Sequence, residues 1–124
     1  MLEQYENLYT DISCQRIVVK KYASKFQADY KRLCAEFPIV KQRLIYGTDW
    51  HCLIRVPDFI NYKRKFIEVL QYEDNFSDEE IEDFLGGNAL RFLGFSKGSP
   101  AALRLERFYA EHQIEAPEWF TLLK

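Results

Sequence analysis

A basic excess is missing from this chain. Lysine and arginine total 17 and aspartate and glutamate 19 among 124 residues, a net charge of −2. That balance lacks the basic stripe on which nucleic-acid binders rely, so no nucleic-acid partner is expected. Cysteine is scarce and odd in number. Cys14, Cys34 and Cys52 form no CxxC pair, which argues against a disulfide framework and fits a reducing compartment. Histidine is scarcer still, with only His51 and His112. No apolar run approaches the roughly 18 residues that a membrane span needs. The opening "MLEQYENLY" is acidic and polar, unlike a secretory signal. The expectation is a soluble cytoplasmic protein with no membrane partner. No internal repeat or low-complexity segment interrupts it.

What the chain has in quantity is apolar surface. Apolar residues make up 48% of it, a composition suited to one folded domain rather than a disordered chain. "NLYTDIS" at 7–13 alternates loosely and reads as a short strand ending near Asp11. "RIVV" at 16–19 is a competing strand. Tyr22, Phe26, Tyr30, Leu33, Cys34 and Phe37 then fall at spacings of three and four, the apolar stripe of a helix. Pro38 ends that helix, because the residue before proline disfavours the helical region. "LIY" at 44–46 reads as a buried strand closed by Gly47.

Helices follow. One is expected to start at Pro57, with Phe59, Tyr62, Phe66, Ile67 and Leu70 on its inner face. "FSDEEI" at 76–81 carries a capping box, Ser77 with Glu80, and a staple, Phe76 with Ile81. Gly86 and Gly87 are expected to end that helix in the left-handed conformation. "NALRFLGF" at 88–95 looks like a short helix closed by Gly94. Ser99 and Pro100 start another helix, and Pro117 a last turn. The order is strand, helix, strand, then helices. Two parallel strands with a helical crossover make one βαβ unit. Such strands want cover on both faces, and two alone cannot close a sheet.

At this point "RLIYGTDWH" at 43–51, followed by "GNALRFLGF" at 87–95, resembles the C-terminal end of the amidohydrolase superfamily. The resemblance is closest to the branch holding metal-dependent hydrolases and aminocarboxymuconate-semialdehyde-type decarboxylases. "NLYTDIS" resembles that family's seventh barrel strand. The resemblance covers residues 5–95, which divides the chain into a barrel segment, 1–95, and a helical C-terminal extension, 96–124. It implies an α/β fold: the C-terminal βαβα portion of a (β/α)8 barrel, helix-rich and not closed by itself. It also implies a divalent metal, zinc or similar, at the C-terminal ends of the strands of the complete enzyme, acting on a small-molecule substrate. Barrel enzymes place their catalytic groups at that end. Asp49 occupies the position of the aspartate that ends the eighth strand, which binds the metal or takes a proton from metal-bound water. Asp11, Trp50 and His51 would line the pocket, with Trp50 packed on the rim. Asn88 resembles a structural residue tying a helix start to that rim.

In two respects the chain departs from the family's pattern. His51 stands where the residue after the aromatic is usually proline, and no H-x-H pair occurs. A complete barrel takes about 250 residues, roughly twice this length. A catalytic zinc site takes three protein ligands plus water. The chain alone is therefore expected to bind no metal and to lack activity. Its exposed strand edges call for an oligomer or a further chain segment to cover them.

Each candidate also has a plainer reading. Asp49 can serve as a strand-end residue capping its own turn, and Asp11 as a turn residue. Asp49, His51 and Cys52 together are too close in sequence to wrap an ion without distant partners. His51 with Cys52 is a still weaker nucleophilic dyad, and Cys34 and Cys52 read as packing residues. "NYKRKF" at 61–66 reads as the solvated face of an amphipathic helix. The acidic "YEDNFSDEEIED" at 72–83 suits a helix N-terminus. His112 needs no functional account.

Overall fold

The computed structural model describes residues 1–13, 20–121 and 123. The chain forms two compact units, Met1–Asn88 and Ala89–Lys124. In the first, strand β1 (Thr10–Ile12) is followed by helix α1 (Lys20–Glu36), a short helix α2 (Val40–Arg43) and strand β2 (Leu44–Tyr46). The strands pair in parallel, Thr10 opposite Leu44, Asp11 opposite Ile45 and Ile12 opposite Tyr46. This is the helix-rich α/β pattern with a crossover, and among the described residues its sheet has two strands and stays open. The competing strand at 16–19 lies outside the described residues.

The strands have two unlike faces because side chains alternate. Leu44 is buried, and Tyr46 packs against the rings of Tyr62, Phe66 and Phe84 at 6.0, 5.4 and 5.9 Å. Phe26, Tyr30 and Cys34 of α1 join the same core. The α1 stripe is narrower than its spacing implies. Tyr22, Leu33 and Phe37 are 41, 40 and 42% exposed; Tyr22 and Leu33 face a groove rather than a packed core. Glu36 ends α1 just before Phe37 and Pro38, as the proline requires.

After β2 the chain turns through helix α3 (Trp50–Leu53) and a 3-10 turn (Phe59–Asn61) into helix α4 (Tyr62–Gln71). The helix expected from Pro57 therefore starts later. Asp58 adopts φ +63°, a left-handed geometry that no continuous helix passes through, and Phe59 stays exposed. Tyr62, Phe66 and Leu70 are the buried positions of α4.

Helix α5 (Asp78–Glu82) opens with the anticipated capping box. The Glu80 N–H donates to Ser77 Oγ at 3.2 Å, and the Ser77 N–H donates to Glu80 Oε2 at 3.0 Å. Phe76 and Ile81 are both buried. The expected left-handed stop at Gly86 and Gly87 does not occur. Asp83–Gly87 instead form a π-helical turn that runs directly into helix α6 (Asn88–Phe92). Neither glycine takes a positive φ, and Asp83 Oδ1 lies where a Cβ on Gly87 would stand.

In the second unit Gly94 at φ +68° closes α6. Helix α7 (Pro100–Glu111) follows, with Ser99 Oγ accepting from the Ala102 N–H at 3.2 Å and Pro100 in its first turn. Helix α8 (Glu118–Thr121) brings Phe120 to Tyr109 and Trp119 to Phe95, with ring centroids 5.6 and 6.1 Å apart. Among the described residues no helix is long and apolar enough to cross a membrane.

Candidate functional site

The site begins where β2 ends. Gly47 donates its N–H to Ile12 O at 3.2 Å, so the two strands stay joined to their C-terminal ends. Ser13 Oγ occupies the space a Cβ at Gly47 would take, so a larger residue here would have to turn that hydroxyl aside. Two residues later Asp49 adopts φ 46° and ψ 59°, left-handed geometry that aspartate tolerates better than most side chains. The chain then coils into α3. The Asp49 carbonyl accepts from the N–H groups of Cys52 and Leu53 at 2.9 and 3.1 Å.

The Asp49 side chain makes no cap bond. The plainer reading, a carboxylate used up in capping its own turn, is not the one adopted. Its Oδ1 lies 3.3 Å from His51 Nε2, with both side chains partly solvent-exposed. Strand alternation does not bring the two together, because β2 stops at Tyr46; the left-handed turn does. Trp50 does not pack down. It is 65% exposed and stands edge-on to His51 at 5.1 Å between ring centroids, since no described element rises over this turn. Cys34 is buried as expected, whereas Cys52 is exposed and so is not a core packing residue.

Asp11 sits in the middle of β1 rather than at its end, and its Oδ1 accepts from Ser13 Oγ at 2.9 Å. It lines a groove of about 700 Å³ between β1 and α1, with Tyr22, Phe26, Leu33 and Leu44 and the Lys25–Asp29 ion pair. Asp49, Trp50 and His51 do not line it. Asp11 lies on β1 and Asp49 three residues past the end of the neighbouring β2, and the groove contains only the first.

These donors do not fit a catalytic metal by themselves. Among the described residues no group of three or more His, Cys, Asp or Glu side chains converges. Asp49 and His51 offer two donor groups, one short of the three a catalytic zinc requires.

Behind the site the strand's start is pinned from two directions. Asn88 is fully buried, and its Nδ2 donates to Lys41 O and Leu44 O, each at 2.8 Å. It serves the beginning of β2, not the rim where Asp49 lies. The carbonyls at the end of α2 have no helical donor of their own, and Asn88 supplies one. Lys41 also pairs with Glu80 and lies 5.4 Å from the Phe76 ring centroid. The Lys41 hydrogen bond holds the Glu80 carboxyl below its ordinary range. Nearby, burial and then the Cys34 contact push the Tyr30 hydroxyl well above the usual tyrosine range.

Sequence reasoning missed Arg43. Its Nη1 donates to Leu2 O and Tyr5 O at 2.7 and 2.6 Å, tying the first residues to the end of α2. Its position directly before the apolar "LIY" was the available signal.

Taken together, a crossover between parallel strands and an open two-stranded sheet among the described residues define a helix-rich α/β protein, with a carboxylate just past the C-terminal end of β2. Residues 1–95 match the family model described as amidohydrolase, and the chain belongs to that family. No curated protein and no solved structure matches it.

Proposed function

We propose that this chain is the C-terminal portion of a metal-dependent amidohydrolase-like enzyme that carries out hydrolysis or decarboxylation of a small molecule. It would represent the last βαβα portion of a (β/α)8 barrel. Asp49 is its contribution to the chemistry, as a metal ligand or as the acceptor of a proton. The single observation that carries this reading is the family match over 1–95, which contains an Asp49 carboxylate not spent on capping. In a complete site the metal would lower the pKa of bound water to about 7. Among the described residues the donor set is too small to hold that metal alone. What its own residues do is hold a carboxylate at the strand end, with an imidazole beside it.

The chain alone is inactive under this reading. The test is a hydrolase and decarboxylase assay with added zinc or manganese, alongside calorimetric titration with the metal. No turnover and no stoichiometric binding are expected. Clear turnover that Asp49→Ala abolishes would show the site to be complete within these residues.

The exposed apolar side chains of α1 favour a second reading, a non-catalytic interaction or oligomerisation module.

A further inference from the structure

We draw no further inference here: the strongest candidate, the largely apolar groove of about 700 Å³ between β1 and α1, has nothing in the structure to show what covers it.

Discussion

Asp49 and Asn88 are both polar, and their surroundings give them opposite roles. Asp49 holds a left-handed backbone, a conformation that costs a non-glycine residue about 1 kcal/mol or more. Strain alone does not single it out, since Asp58, Glu73 and Gln113 share the geometry. Its carboxylate, which makes no cap bond and lies 3.3 Å from His51 Nε2 just past the end of β2, does. Asp49→Gly is therefore expected to leave stability unchanged or raise it by up to about 1 kcal/mol in urea unfolding. A clear loss of stability would mean that the side chain is structural after all. Asn88 has the reverse profile, buried and donating to two backbone carbonyls. Removing a partner from a buried acceptor costs about 1–3 kcal/mol and from a part-buried one less, so Asn88→Ala should cost about 2–4 kcal/mol in the same measurement. A cost below about 0.5 kcal/mol would show that the tie contributes nothing.

At the scale of elements, the short strands are held mainly by the helices behind them. The run from α5 through the π-turn to α6 meets the α2–β2 corner twice, through Glu80 with Lys41 and through Asn88. The first contact is sensitive to pH. The Lys41 hydrogen bond depresses the Glu80 pKa in the folded state, so the unfolded chain binds this proton more readily. The contribution is present above the ordinary value of 4.5 and is lost as pH falls through the lower folded value. Urea midpoints measured from pH 6 down to about 3 should fall less steeply for Glu80→Gln than for the parent. Parallel slopes would rule out this pair as a source of acid sensitivity.

The α5 capping box was legible from "FSDEEI", because a cap is satisfied within three residues. The passage through Gly86 and Gly87 was not. Paired glycines after a helix suit a left-handed stop, but here both continue through a π-turn into α6. Phe59 and the start at Pro57 were misread for a related reason. A single left-handed residue, Asp58, restarts the helix, and nothing in a 3.6-residue periodicity marks it.

At the scale of the molecule, the first unit carries more apolar surface than its described elements cover. Parallel sheets are usually covered on both faces, yet among the described residues half of the α1 stripe remains exposed. If the chain persists alone as an interaction module, sedimentation equilibrium should give a weight-average mass above that of one chain, rising with concentration. A concentration-independent monomer that binds no metal would count against both the self-associating module and an enzyme complete in these residues.

The sequence by itself determined the strand–helix–strand order, the Ser77 and Ser99 caps, the apolar stripes on which the cores of α1 and α4 draw, and the family. Those depend on local spacing, on backbone groups satisfied a few residues away, and on "GTDW" and "GNAL" standing in order. Only the tertiary structure decided which half of the α1 stripe is buried, that Asn88 serves the beginning of β2, and that Asp49 turns to His51 while Trp50 stays exposed. These outcomes depend on which surfaces meet, and the residues that meet are far apart in the chain or joined by a turn that breaks the strand's alternation.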